Sequence, residues 1–155
     1  MSDVMESPIT LAHQYGKRPS AQTELSYWSP SVRIFTKWGA EAVKEVLRVA
    51  TLRADWDGYG SPPPTEKAVS ASTGLLLGIP RLGFEDLPVP RVFPVAGGGI
   101  QLEWRAGRRE LEIEILADGS LEFLKVENGE PLEEGEIEPV ARHMRSLFAW
   151  LASAR

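Results

Sequence analysis

Residues 91–126, RVFPVAGGGIQLEWRAGRRELEIEILADGSLEFLKV, decide the fold of this 155-residue chain. Apolar and polar side chains alternate along most of this stretch, which is typical of strands that bury one face and expose the other. Glycine-containing turns interrupt the alternation at three places. The stretch therefore predicts an antiparallel meander of four short strands.

Turn lengths determine which residues of neighbouring strands face each other. We place two-residue turns at residues 97–98 and 106–107. The predicted pairs are Val95 with Ile100, Phe93 with Leu102, Leu102 with Leu111, and Ile100 with Ile113. These pairs bring the apolar residues of successive strands together on one face of the sheet.

The third turn, at residues 117–119, has two possible lengths. A two-residue turn would set Ile115 opposite Glu122 and bury a carboxylate on the apolar face. A three-residue loop with Gly119 in the left-handed conformation pairs Ile115 with Leu121 instead. We therefore predict the three-residue loop.

This register gives the predicted sheet two distinct faces. The apolar face carries Phe93, Val95, Ile100, Leu102, Trp104, Leu111, Ile113, Ile115, Leu121 and Phe123. The opposite face carries Gln101, Glu103, Glu110, Glu112, Glu114 and Glu122. We expect Glu103 opposite Glu110 and Glu114 opposite Glu122, an unusual arrangement because directly opposed like charges are unfavourable.

Three amphipathic helices are available to cover the apolar face. Apolar residues recur at three- and four-residue steps over residues 31–53, and Thr65 can cap a second helix that ends near residue 79. Pro139 suits the first turn of a last helix, after an acidic loop at residues 127–138. The predicted order is α-α-β-β-β-β-α, an α+β fold with helices on one face of a four-stranded antiparallel sheet.

The chain length and composition indicate one globular domain preceded by an arm. Residues 1–30 lack a steady apolar period, so we predict a flexible arm there and a single domain over residues 31–155. The chain has no cysteine, no signal-peptide pattern and no apolar run of the roughly 18–20 residues needed to span a bilayer. We therefore expect a cytoplasmic protein without a membrane partner.

Negative charge is concentrated in the second half of the chain. The formal net charge is −5, but residues 100–138 contain 12 acidic and 4 basic residues, a net of −8. Such a balance argues against unaided binding to nucleic acid and favours a basic partner. The glycine run at residues 97–99 leads into a strand rather than a helix, so it is no phosphate loop. We predict no cofactor and no metal site.

The loop WDGYGSP at residues 56–62 is one candidate site. Trp56 and Tyr59 lie on a connecting segment, and binding residues are often carried by such segments on a rigid scaffold. In the alternative interpretation, Trp56 packs into the core and Asp57 accepts hydrogen bonds from the turn at Gly58. Asp57 has no identifiable His, Ser or Lys partner in the sequence, so the pattern specifies no catalysis.

The glutamate-lined sheet face is the other candidate site. Its opposed carboxylates require a compensating cation, which a metal ion, nearby arginines or a basic protein surface would supply. We expect a basic protein among these, with an ordinary solvated face as the alternative. Paired carboxylates also serve as acid and base in glycoside hydrolysis, but a flat sheet face offers no pocket for a substrate.

The motifs WDGYGSPPP, VFPVAGGGIQLEW and RRELEIEILADGSLEF also carry a resemblance. They are similar to those of a group of small uncharacterised bacterial and phage proteins, whose pattern is Trp-Asp-Gly-x-Gly-x-x-Pro, Gly-Gly-Ile-x-Leu-Glu-Trp and then a strand closed by Asp-Gly. The resemblance covers about residues 52–123. It implies no activity, ligand or catalytic residue. Where such proteins often have Asp-Gly-Gly before the strand, this chain has three glycines at residues 97–99.

These observations favour a non-enzymatic protein-binding module, comparable to an antitoxin, an immunity protein or a phage inhibitor. The predicted contact residues are Trp56, Asp57, Tyr59, Glu103, Glu110, Glu112, Glu114 and Glu122. One alternative is a hydrolase or metal-dependent enzyme, with Asp57 in hydrogen-bonding reach of Glu103 or Glu112. Another is a structural domain that forms homo-oligomers by pairing a strand edge at Leu124 and Val126 with a second copy.

Overall fold

The computed structural model describes residues 36–154 of the chain. The helices are α1 (Lys37–Val49), α2 (Glu66–Gly78) and α3 (Ala141–Ala152), with a 3₁₀ helix at Ile79–Leu82 after α2. The strands are β1 (Arg91–Val95), β2 (Gly99–Ala106), β3 (Arg109–Ile115), β4 (Leu121–Glu127) and β5 (Glu130–Glu136). The arm predicted at residues 1–30 and the predicted helix start at residue 31 lie outside the described residues.

The strands form one antiparallel sheet in the order β1-β2-β3-β4-β5. The α+β class is as predicted, but the prediction of four strands is wrong because the supposed acidic loop contains β5. Asn128 and Gly129 have φ values of 56° and 81°, and a tight hairpin turn favours such a left-handed pair. The composition of β5, EPLEEGE, has no apolar–polar alternation, so periodicity does not reveal the strand.

The register of β1 differs by one residue from the prediction. Phe93 pairs with Gln101 rather than with Leu102, because the turn contains three residues, 96–98, instead of two. A slip of one residue moves every side chain of a strand to the other face. Phe93, predicted to face the core, therefore lies on the outer face and is 40% exposed.

The register between β2 and β3 differs by two residues from the prediction. The turn lies at residues 107–108, one residue later than predicted, with Gly107 at a φ of 58°. Glu103 consequently pairs with Glu112 rather than with Glu110. A shift of two changes the partners but leaves each side chain on its predicted face.

The third hairpin has the predicted register. Ile115 pairs with Leu121, and Glu114 pairs with Glu122. Gly119 has a φ of 89°, as the three-residue loop requires. The carboxylate of Glu122 is therefore kept out of the core, as predicted.

The inner face of the sheet forms the core with the helices. Fully buried inner residues are Ile100, Leu102, Trp104, Leu111, Ile113 and Ile115. Helix α3 packs against β2 and β3, and the ring of its Phe148 meets that of Trp104 edge-on at 5.0 Å between centroids. Helix α2 also packs on β2 and β3, and α1 lies against α2 and β1. The side chains of α1 that are buried are Trp38, Ala42, Val46 and Val49.

The helix ends follow local capping chemistry. Thr36 and, as predicted, Thr65 accept backbone N–H bonds as the N-caps of α1 and α2. Helix α1 ends at Val49, earlier than the predicted residue 53. Helix α3 begins at Ala141, so Pro139 precedes the helix instead of lying in its first turn.

Candidate functional site

The outer face of the sheet presents glutamates in rows that cross the strands. From β1 to β5, one row consists of Phe93, Gln101, Glu114, Glu122 and Glu136. The next row consists of Arg91, Glu103, Glu112, Leu124 and Glu134. Every predicted outer-face glutamate lies on this face, and β5 adds two more that were expected in a loop.

The pair Glu103 and Glu112 is bridged by groups of the protein itself. The Gln101 side-chain amide donates to Oε1 of Glu103 at 2.8 Å and to Oε2 of Glu112 at 3.2 Å. Arg91 donates to the other oxygen of Glu103 at 2.5 Å. These contacts compensate part of the repulsion between two carboxylates that face each other across β2 and β3.

The ionisation of Glu112 is nevertheless disfavoured. Partial burial, followed by repulsion from Glu103 and Glu110, raises the pKa of Glu112, while Arg91 acts in the opposite direction. Burial is the largest cause of this shift, and the repulsion that adds to it comes from the negative charges of Glu103 and Glu110. A cation brought to this face would therefore be attracted.

Glu110 lies beside a cation. It pairs across the strands with Arg105, and the two side chains form an ion pair. The predicted opposition of Glu110 and Glu103 is wrong, because the β2–β3 turn lies one residue later than predicted. Glu110 therefore differs from Glu114, Glu122 and Glu136, for which no ion pair is found among the described residues.

The side chains of Glu114, Glu122 and Glu136 lie in one row on the outer face. Glu114 pairs with Glu122, as predicted, and Glu122 pairs with Glu136. None of the three forms an ion pair within residues 36–154. An open groove of about 500 Å³ lies over them, lined by Gln101, Glu112, Glu114, Glu122, Phe123, Leu124, Glu134, Gly135 and Glu136.

The loop at residues 56–62, called here the aromatic loop, is held by Asp57 and by Asp55, which directly precedes it. Oδ1 of Asp57 accepts from the backbone N–H groups of Tyr59 at 2.9 Å and Ser61 at 3.2 Å, and Oδ2 accepts from the Ser61 hydroxyl at 2.5 Å. Asp55 accepts from the backbone N–H of Gly60 at 2.7 Å. The hydroxyl bond from Ser61 and then the amide bond from Tyr59 lower the pKa of Asp57.

The two aromatic residues of this loop have different environments. Trp56 is half-buried and donates from Nε1 to the carbonyl of Pro62 at 3.0 Å, but it is not among the core residues. Tyr59 is 93% exposed. Asp57 thus accepts hydrogen bonds from the turn, as the alternative interpretation predicts. Tyr59 is exposed to solvent on a backbone that these bonds hold in place.

Thr65 joins the aromatic loop to the sheet. Its backbone N–H donates to the carbonyl of Gly98 at 3.0 Å, and its hydroxyl donates to the carbonyl of Ala117 at 2.6 Å. The same hydroxyl accepts from the N–H of Ala68 as the cap of α2. The three segments that carry the sequence motifs therefore meet at one end of the sheet.

The contact required by the enzymatic alternative is absent from the described residues. The side-chain hydrogen bonds of Asp57 all go to residues 59–61, and none reaches Glu103 or Glu112. Within residues 36–154, no three acidic or histidine side chains are grouped so that they could hold a metal ion. No helix in this part of the chain is both long and apolar enough to cross a membrane.

The strand edge invoked by the oligomeric alternative is also covered. Leu124 pairs with Glu134, and Val126 pairs with Pro131. Strand β4 is therefore an internal strand, and the prediction that its edge is exposed is wrong. The residues that the sequence prediction missed, Glu134 and Glu136, could have been found from the Asn128-Gly129 hairpin signal.

Comparison with known proteins identified no relative. No protein-family model matches the sequence, and neither a curated protein nor a solved structure was found to match it. Function is therefore inferred from the geometry and electrostatics of the outer face and the aromatic loop.

Proposed function

We propose that this chain is a non-enzymatic protein-binding module whose outer sheet face captures a basic surface of another protein. The observation that carries the proposal is the row of Glu114, Glu122 and Glu136, which pair across neighbouring strands without a cation in the described part of the chain. Lysine or arginine side chains of a partner would supply the missing charges.

The electrostatic cost of this face supports the proposal. Like charges directly opposite each other in a sheet are destabilising by roughly 0.2–1 kcal/mol per pair. A partner that places cations between them removes this cost on binding and gains charge-assisted hydrogen bonds. Complementary potentials also accelerate the encounter and reject acidic partners. The face therefore suits a fast and selective association with a basic protein.

The groove gives this surface more than charge. It combines carboxylates with the apolar residue Leu124. The long aliphatic stems of lysine and arginine pack on apolar surface while their charged ends stay near carboxylates. This combination favours the binding of basic side chains along the groove rather than the attraction of a diffuse cloud of counterions.

Tyr59 offers a second contact for the same partner. Its backbone is held by the hydrogen bonds of Asp55 and Asp57, so little backbone entropy remains to be lost when the ring is buried. Tyrosine is enriched among the residues that dominate binding energies. Antitoxins, immunity proteins and phage inhibitors are small modules of this general kind, and the proposal extends to them by analogy.

The test is affinity capture. The tagged chain is co-expressed with the proteins encoded beside it in its native genome, and the amount of partner that it retains is measured. The variant Glu114→Lys/Glu122→Lys reverses the charge on the outer face. The matched control is Glu41→Lys/Glu85→Lys, which makes the same change in net charge at exposed positions away from this face. We expect the outer-face variant to reduce capture at least tenfold, about 1.4 kcal/mol of binding energy, and the control to retain it.

Two results would contradict the proposal. Capture that is unchanged by the outer-face variant would show that this face is not the contact surface. An equal loss in the control would show that net charge, rather than this face, attracts the partner. Circular dichroism and a urea titration of each variant establish that the fold is intact.

A further inference from the structure

Strand β5 forms one edge of the sheet and is exposed along its whole length. It pairs with β4 on one side, and no described strand lies on its other side. All seven of its residues are exposed. An edge strand of this kind presents unpaired backbone N–H and C=O groups that can accept a further strand.

The pairing pattern identifies which backbone groups face outward. The N–H of Ile137 donates to the carbonyl of Leu121 at 2.8 Å, which marks residues 121 and 137 as a hydrogen-bonded position of the ladder. Such pairs alternate with pairs that do not exchange bonds in an antiparallel ladder. The N–H and C=O groups of Gly135 therefore point toward β4, and those of Glu134 and Glu136 point to the free edge.

We infer that β5 accepts an extended basic segment of the partner as a sixth strand of the sheet. This inference rests on the proposed function and specifies the partner further. The backbone of the added segment forms hydrogen bonds with the backbone groups of Glu134 and Glu136. The side chains of the added segment that lie beside these two residues are on the outer face. Cβ atoms of directly opposed residues are roughly 4.5–5.5 Å apart, within reach of an ion pair.

The side chain between the two basic positions faces the opposite side of the sheet. There Gly135 has no side chain, and the Phe123 ring lies 3.3 Å from where a Cβ of residue 135 would stand. An apolar side chain on the added strand can extend the cover over this ring. The segment that fits best is therefore basic–apolar–basic in an extended conformation.

The sequence of β5 argues against a second copy of this strand as the occupant. The strand carries Glu130, Glu133, Glu134 and Glu136, and the ion pair that it forms within residues 36–154 joins Glu133 to Lys125 at 2.6 Å. Pairing β5 with itself would add glutamates opposite glutamates, which is the arrangement that edge strands use to prevent self-association. A basic strand meets no such penalty.

The test uses a seven-residue peptide that alternates lysine and valine, added to the full chain. Amide hydrogen exchange, followed by NMR, is expected to slow at least about tenfold at Glu134 and Glu136, because their N–H groups become hydrogen-bonded. The N–H of Gly135, already bonded to β4, serves as the internal reference. A peptide of the same composition with its lysines contiguous is expected to give less protection.

Glu136→Pro removes the outward N–H without removing a bond to β4, and proline is tolerated at such edge positions. Glu136→Gln is its matched control, because it removes the charge but keeps the N–H. We expect the proline variant to lose the protection at Glu134 and the glutamine variant to keep it with a weaker affinity. Circular dichroism checks that both variants fold.

The outcomes separate the two proposals. A peptide that binds the outer face, seen as shifts at Glu114 and Glu122, without protecting Glu134 and Glu136 would overturn strand addition and leave the proposed function standing. Equal affinity of the proline and glutamine variants would also overturn strand addition. No binding of either lysine peptide would overturn strand addition, whereas the proposed function is decided by capture with the outer-face variant and its Glu41→Lys/Glu85→Lys control.

Discussion

The two faces of strand β3 differ in what they contribute to the molecule. Leu111, Ile113 and Ile115 point inward and are fully buried in the core. The residues between them, including Glu112 and Glu114, point outward and are half-buried. One face stabilises the fold through apolar burial, whereas the other sets like charges opposite each other, which is an unfavourable arrangement. A surface that is kept at a cost to stability is best explained by an interaction outside the fold.

The largest effect should come from the inner face. Ile113→Ala leaves a cavity beneath the helices and is expected to lower the free energy of unfolding by about 2–5 kcal/mol. Glu114→Ala, one residue along the same strand, is expected to change it by less than about 0.5 kcal/mol. Urea unfolding of both variants measures the contrast. Similar losses in the two variants would show that the outer face also belongs to the core.

An intermediate loss of stability is expected at Gly99, where the backbones of β2 and β3 lie close together. A Cβ on Gly99 would stand 2.6 Å from the carbonyl oxygen of Ile115, and a backbone atom cannot move aside as a side chain can. Gly99→Ala is therefore expected to cost about 1–3 kcal/mol. Gly74→Ala is the control, because a Cβ there meets nothing within 4 Å and alanine favours the helix. A neutral Gly99→Ala would show that the β2–β3 register can relax.

A smaller effect, with a characteristic pH dependence, is expected at Glu112. Because its pKa is raised in the fold, the folded chain holds this proton more tightly than the unfolded chain. Stability therefore falls as the pH rises from the ordinary carboxyl pKa through the raised one, and the loss persists at neutral pH. Glu112→Gln removes this loss and should be slightly more stable at pH 7, by less than about 1 kcal/mol.

Asp57 provides a control of opposite sign for this pH dependence. Its pKa is lowered by hydrogen bonds from Ser61 and Tyr59, so its contribution to stability is present above the ordinary carboxyl pKa and is lost as the pH falls through the lowered one. In a series of urea titrations from pH 3 to 8, the midpoint near neutral pH should therefore be higher than that of the parent chain for Glu112→Gln and lower for Asp57→Asn. A change of the urea midpoint in the same direction for both variants near neutral pH would contradict this assignment.

Side-chain alternation predicted the inner face of β2, β3 and β4 well, because burial of a charge limits the possible registers. It could not set the length of the first turn. That turn is three residues long, with Gly97 and Gly98 both at positive φ and Gly98 bonded to Thr65. The longer turn that places Phe93 on the outer face is thus bonded to a distant segment, and no local pattern reports such a contact.

Strand β5 escaped prediction for a different reason. Its residues are exposed on both faces, so no alternation is required of them, and its glutamates resemble those of a solvated loop. Only the turn residues Asn128 and Gly129 indicate a hairpin. The part of the candidate site that borders the free edge, including Glu134 and Glu136, depends on this strand and so was not predicted.

We propose that the outer-face carboxylates are maintained for a partner at the expense of the fold. The most direct test is the urea midpoint of the variant Glu114→Gln/Glu122→Gln/Glu136→Gln at pH 7 and low ionic strength. Removing the opposed charges is predicted to raise the midpoint, and added salt should shrink the difference from the parent chain. A lower midpoint would contradict the account, because it would show that these carboxylates help to hold the fold together.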